Sequence, residues 1–193
     1  MDRSHETGDS DRAGLSWVSS MGGPLITLPE SCVNAWGGCT ESGSVLGEDN
    51  GCDDYDRACA VDGWAGVIAV GEGPATALVL ADEPAKTRFM PEGLLFVRWL
   101  AADSEEQLLT AAQAVLAAPE APWKDVGLWV CDGPAVLMDS AAAGADLGVT
   151  YPGGGQPEQA PVQLPEGRWR VRAVHAKSES GWAGVVQLRS DQG

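Results

Sequence analysis

The sequence predicts an α+β fold, mostly antiparallel β-sheet with one clear helix at about 104–118. Three observations lead there. Short apolar runs recur along the chain, separated by Gly, Pro and Asp turns. One segment alone carries apolar residues at sustained helical spacing. The apolar fraction, 44% of 193 residues, suffices for one packed core.

Residues 1–14 are polar and mixed in charge, and read as a disordered lead-in to a single domain over 15–190. Residues 17–28 are apolar but broken by Gly22-Gly23-Pro24, which fits two short strands or a strand after a turn. Residues 29–36 fit a short helix that starts at Pro29 and stops at Gly37-Gly38. Residues 37–54, rich in Gly, Ser, Asp, Glu and Asn, predict a mobile acidic loop. The apolar runs 64–70 and 77–81 flank Gly71-Glu72-Gly73-Pro74 as a hairpin would. Residues 94–100 read as a buried strand. In 104–118, positions 108, 109, 111, 112, 115 and 116 form one apolar stripe; Ser104 with Gln107 makes a capping-box signature, and Pro119 ends the run. Trp129-Val130 and Ala135 to Met138 flank Cys131-Asp132-Gly133-Pro134 as another strand–turn–strand. Residues 168–176 alternate, with Trp169, Val171, Ala173 and His175 on one face and Arg168, Arg170 and Arg172 on the other. A turn at 178–181 leads to a last strand over 182–188.

An internal echo raises the possibility of two related β-units. Trp17-Val18 and Gly23-Pro24-Leu25-Ile26 resemble Trp129-Val130 and Gly133-Pro134-Ala135-Val136. Gly63-Trp64-Ala65-Gly66-Val67-Ile68 resembles Gly181-Trp182-Ala183-Gly184-Val185-Val186. The alternative is that G-W-A-G-V is a strand opener used twice.

Charge narrows the function classes. Twelve Lys and Arg against 28 Asp and Glu give −16, which disfavours nucleic-acid phosphates and anionic membrane surfaces. No apolar run reaches the length of a spanning helix, and the first residues show no apolar core of a secretory signal. Five cysteines, an odd number, fit reduced thiols in a cytoplasmic protein. With no C-x-x-C pair and only His5 and His175, neither a metal nor another cofactor is expected. The acids around Glu48-Asp49-Asn50-Gly51 lack the EF-hand order.

Catalytic motifs are equally sparse. No G-x-S-x-G elbow or phosphate loop is present. Cys59 or Cys131 could pair with His175, so a small cysteine-dependent enzyme stays open. So does a structural module that docks through strand edges. Against that, His175 on an apolar strand face fits an ordinary core or edge histidine.

Most of the eight tryptophans fit the core, and Trp36, beside Gly37-Gly38 and the acidic loop, is the candidate exposed anchor. Asp49, Asp53, Asp54 and Asp56 form the candidate carboxylate field, suited to a basic partner groove. The competing reading of these acids is a solvated loop that only aids solubility.

Several segments in order then resemble immunity protein family 21 of bacterial polymorphic toxin systems. They are Trp17-Val18, Gly22-Gly23-Pro24-Leu25-Ile26, Ala35-Trp36-Gly37-Gly38, Asp53-Asp54-Tyr55-Asp56-Arg57-Ala58-Cys59 and Leu78-Val79-Leu80-Ala81-Asp82-Glu83-Pro84-Ala85. Further along are Arg98-Trp99-Leu100-Ala101-Ala102-Asp103-Ser104, Gly133-Pro134-Ala135-Val136-Leu137-Met138-Asp139-Ser140 and Gly167-Arg168-Trp169-Arg170-Val171-Arg172-Ala173. The likeness runs from about residue 17 to 188, and the Ala/Gly/Trp-rich style suits an actinobacterial genome. The resemblance implies a non-catalytic protein that binds a cognate toxin domain and blocks its active site. It carries no catalytic motif and no contact residues onto this chain, so the set Trp36, Asp49, Asp53, Asp54 and Asp56 rests on local physics.

Overall fold

The computed structural model describes residues 16–47, 51–179 and 181–191. In chain order its strands are β1 (Leu25–Pro29), β2 (Gly66–Ala69), β3 (Thr76–Leu80), β4 (Thr87–Met90), β5 (Leu95–Ala101), β6 (Lys124–Cys131), β7 (Ala135–Asp139), β8 (Gln159–Val162), β9 (Gly167–Ser178) and β10 (Gly181–Ser190). Helix α1 spans Asp54–Cys59 and helix α2 spans Glu105–Ala117. The strands form two five-stranded antiparallel sheets, ordered β2-β3-β1-β7-β8 and β4-β5-β10-β9-β6. The fold is therefore α+β and mostly antiparallel β, as the patterning predicts.

The burial of each strand follows from its place. β1 reads Leu-Ile-Thr-Leu-Pro, and all five residues are buried. It lies mid-sheet and is covered on both faces, so its apolar run is continuous rather than alternating. β9 alternates where one face is open: Trp169, Val171 and Ala173 are buried, while Arg168 and Arg170 are exposed. Between the sheets lie Leu25, Leu78, Leu80, Phe96, Trp129, Leu137, Trp169 and Val186, among others. α2 covers the outer face of the second sheet, setting Leu108, Ala111, Ala112 and Val115 against Val97, Val174 and Val185. The outer face of the first sheet is covered by a 3₁₀ turn (Glu30–Ala35), α1 and neighbouring loops, which pack Val33, Trp36, Ala58 and Leu147 on Ile26, Leu28, Val79 and Met138.

The α2 cap differs from a full capping box. Ser104 Oγ accepts the Gln107 amide at 3.2 Å, but Gln107 Oε1 accepts from the Asp103 amide rather than from Ser104. The helix expected over 29–36 is the 3₁₀ turn, and Pro29 closes β1 instead of opening a helix. Residues 129–138 form the expected strand–turn–strand, though the two strands do not pair as a hairpin. β6 belongs to the second sheet and β7 to the first, so the Gly133-Pro134 turn crosses between layers.

The echo is half explained. In the second sheet, β5, β4 and a bridge from Thr87 to Val18 run outward on one side, and β10, β9 and β6 on the other. In the first sheet, β1 and β3 mirror β7 and β8, with β2 added at the edge. The series Val18, β1, β3, β4, β5 thus matches β6, β7, β8, β9, β10 about a local two-fold. The first echo falls on equivalent strands, and its equivalents Thr27 and Leu137 face each other in the β1–β7 pair. The second echo fails, because it maps the edge strand β2 onto the central strand β10, whose counterpart is β5.

Leu137 lies fully buried between the sheets at this two-fold. Leu137→Ala should lower unfolding stability by about 2–5 kcal/mol in denaturant titration; a loss under about 1 kcal/mol would mean the interface repacks freely.

Candidate functional site

α1 has six residues, too few to hold itself together, and is fixed by its carboxylates. Asp53 is the N-cap: Oδ1 accepts the Asp56 amide at 2.8 Å, and Asp56 Oδ2 accepts the Asp53 amide at 3.2 Å. This reciprocal pair satisfies two otherwise orphaned donors. The remaining lone pairs reach out to the preceding loop. Asp53 Oδ2 accepts from the Thr40 amide at 2.7 Å, and Asp56 Oδ2 from the Ser44 amide at 2.7 Å. Asp54 Oδ2 accepts from the Gly37 amide at 2.7 Å, while its other oxygen pairs with Arg57, whose Nη1 reaches the Ala69 carbonyl. The Ser44 amide in particular holds the Asp56 carboxyl below its usual range. Gly43 leaves room for this arrangement, since a Cβ there would lie 2.0 Å from Asp53 Oδ2.

Sequence reasoning misplaced the anchor. Trp36 is 1% exposed, so it is no exposed anchor. Its indole packs in the cover of the first sheet, and Nε1 donates to the Ser140 carbonyl at 2.9 Å. Of the acids, Asp53 is buried in the cap, and Asp54 and Asp56 are engaged by backbone amides. Asp49 lies outside the described residues. The structure thus joins Trp36, Asp53, Asp54 and Asp56 into one supporting framework. The clue was available in sequence: Asp53-x-x-Asp56 before an apolar Ala58 is a capping pattern.

Asp139, at the end of β7, extends the same framework. Its two oxygens accept from the Met21 amide at 2.7 Å and the Ala141 amide at 2.9 Å. The Cys39 amide donates to the Ala141 carbonyl at 3.0 Å, and Gly38, with φ +65°, allows that approach. Three segments are thereby joined: 19–24, 37–47 and 139–157. They present Met21, 89% exposed, together with Val45, Leu46, Val149 and Tyr151. A depression of about 250 Å³ is lined by Met21, Cys39, Asp139, Asp146, Tyr151 and Pro157. Asp146, which lines that depression, is exposed, as is Glu41 of the 37–47 segment. Apolar tips on a carboxylate-rich base suit contact with a protein surface.

A second polar cluster closes one end of the sandwich. The His175 ring stacks on Trp64 at 4.5 Å, and Nδ1 lies 3.6 Å from Asp82 Oδ2. Nearby, buried Arg98 donates to the carbonyls of Trp64, Ala81 and Glu83. Burial, seconded by Arg98, pushes the His175 pKa down to about 4, so the ring is neutral at pH 7. Burial raises the thiols of Cys39, Cys59 and Cys131, and lifts Cys32 to about 11. Among the described residues no hydrogen bond joins His175 to a thiol, and no group of three or more His, Cys, Asp or Glu is placed to hold a metal ion.

Asp53→Ala should lower stability by about 0.5–2 kcal/mol and speed amide exchange across 40–44, read by hydrogen-exchange mass spectrometry. Unchanged exchange there would contradict the framework. His175 has a folded pKa below its unfolded 6.5, so the unfolded chain binds the proton more tightly. Its contribution to stability is full above pH 6.5 and is lost as pH falls towards 4. Thermal melts of His175→Gln should therefore fall less steeply than wild type across that window; parallel curves would refute the assignment.

Searches of curated proteins and of solved structures found no match. The family comparison did: the model described as Immunity protein 21 matches residues 16–181. That span takes in β1 to β9, both helices, the three joined segments and the histidine cluster. The chain belongs to the immunity protein 21 family.

Proposed function

We propose that this chain binds a cognate toxin domain of a polymorphic toxin system in the cytoplasm and neutralises it by occluding its active site. The observation that carries the reading is the platform of segments 19–24, 37–47 and 139–157. Its exposed Met21, Val45, Leu46, Val149 and Tyr151 would supply desolvated contact. The carboxylates would steer and register a basic partner, as befits a chain of charge −16.

Within this reading Asp53, Asp54 and Asp56 shape the platform and add to its field, Asp49 belongs to the same acidic stretch of sequence, and Trp36 supports the platform. Because α1 and the Asp139 contacts fix the three segments in advance, little ordering would be required on binding. The family supports a non-catalytic role, and burial raises the thiols of Cys32 and Cys131 away from the thiolate form that a cysteine nucleophile needs.

The test uses the toxin domain encoded beside this chain. Co-expression should rescue cells from that domain, and calorimetry should show a direct complex. Leu46→Ala with Tyr151→Ala should weaken binding by at least about tenfold. Glu41→Gln with Asp146→Asn should chiefly slow association and flatten its salt dependence. Rescue without any complex, or full affinity in the Leu46/Tyr151 variant, would overturn the proposed surface.

A further inference from the structure

In this acidic chain, four of the twelve cationic side chains gather on one sheet face. Strand alternation puts Arg168, Arg170 and Arg172 of β9 on the same face as Val174, and Gln187 and Arg189 of β10 on the same face as Val185. That is the face covered by α2. Where its cover stops, a groove of about 390 Å³ opens, lined by Trp123, Asp125, Arg170, Arg172, Arg189 and Asp191.

The internal neutralisation of this strip is incomplete. Asp191 serves two arginines: Arg170 Nε at 2.8 Å and Arg168 Nε at 3.6 Å. Arg172 is held by a neutral group, donating to Gln187 Oε1 at 2.9 and 2.7 Å, with its guanidinium 4.0 Å from the Trp123 ring. Arg189 is the cross-strand neighbour of Arg170, and no carboxylate among the described residues pairs with it. Like charges facing each other across strands oppose folding. Four arginines against Asp125 and Asp191 leave a local charge of 4 − 2 = +2. Beside them β6 sets Leu128 opposite Arg170 and Val130 opposite Arg168, and Val130 is 48% exposed.

We propose that this groove docks an extended acidic segment of the protein partner, a second contact of opposite polarity to the platform. Its being the toxin rests on the reading under Proposed function. Alternate residues of an extended segment stand about 6.6 Å apart, which is also the spacing of Arg168, Arg170 and Arg172 along β9. Carboxylates at that spacing match successive guanidinium forks. Leu128, Val130 and the Trp123 ring supply apolar contact between them. A polyanion such as nucleic acid fits less well, because its charges beyond the groove would meet the field of the −16 chain.

The test titrates the full chain with a fluorescent peptide of alternating Glu and Val, with a single-stranded DNA of equal charge, and with the cognate toxin domain. The peptide should bind, weaken as salt rises, and lose at least about fivefold in affinity to Arg170→Gln/Arg189→Gln. The same variant, with an unchanged melting temperature, should weaken toxin binding. No peptide binding at low salt, DNA bound more tightly than peptide, or a variant that binds both probe and toxin as wild type does would each overturn the proposal. If the peptide binds as described but the wild-type chain ignores the toxin domain, the groove stands and the toxin reading fails.

Discussion

Both sheets carry apolar side chains on both faces, and most of the architecture answers that constraint. The shared core takes one face of each. The other two must be covered by something that is not sheet. The second sheet uses one regular helix, capped by Ser104 and striped with Leu108, Ala111, Ala112 and Val115. The first sheet has no such helix. It is covered by a 3₁₀ turn, a six-residue helix and loops, and these hold their shape through side-chain hydrogen bonds to backbone.

That difference accounts for where the acids are used. A loop lying on an apolar sheet has amide groups that no ladder satisfies. Asp53, Asp54, Asp56 and Asp139 accept them from Thr40, Gly37, Ser44, Met21 and Ala141. The same carboxylates that make the chain so negative therefore build the irregular cover, and their charge arrives at the surface as a by-product of structure. Apolar tips such as Met21 and Leu46 stand on that cover because the loops beneath them are already fixed.

The two-fold arrangement of strands adds a second consequence. It places β10 at the centre of one sheet with β9 beside it, and α2 covers the part of both strands that holds Val174, Ala183 and Val185. Beyond the part of the face that α2 covers, the outward positions of these two strands are Arg168, Arg170, Arg172 and Arg189. The scaffold thus carries a carboxylate-held cover on one sheet and an arginine strip on the other.

Much of the fold was legible in the residues. Helix α2 and the β2–β3 and β9–β10 pairs follow from periodicity and turn chemistry, which are local. The family resemblance was legible as well, because it depends on ordered motifs. The role of Trp36 was not: an indole beside Gly37-Gly38 reads as exposed until β7 brings Ser140 within hydrogen-bond reach. Likewise Asp53-x-x-Asp56 reads equally as a charge cluster and as a cap. The sequence by itself determined which segments are strand or helix and that the chain is strongly acidic, since those properties depend on near neighbours. The tertiary structure alone decided which acids are engaged, which tryptophan is hidden, and that the arginines of β9 and β10 share one face, since each depends on residues some twelve to more than a hundred positions apart being brought within a few ångströms.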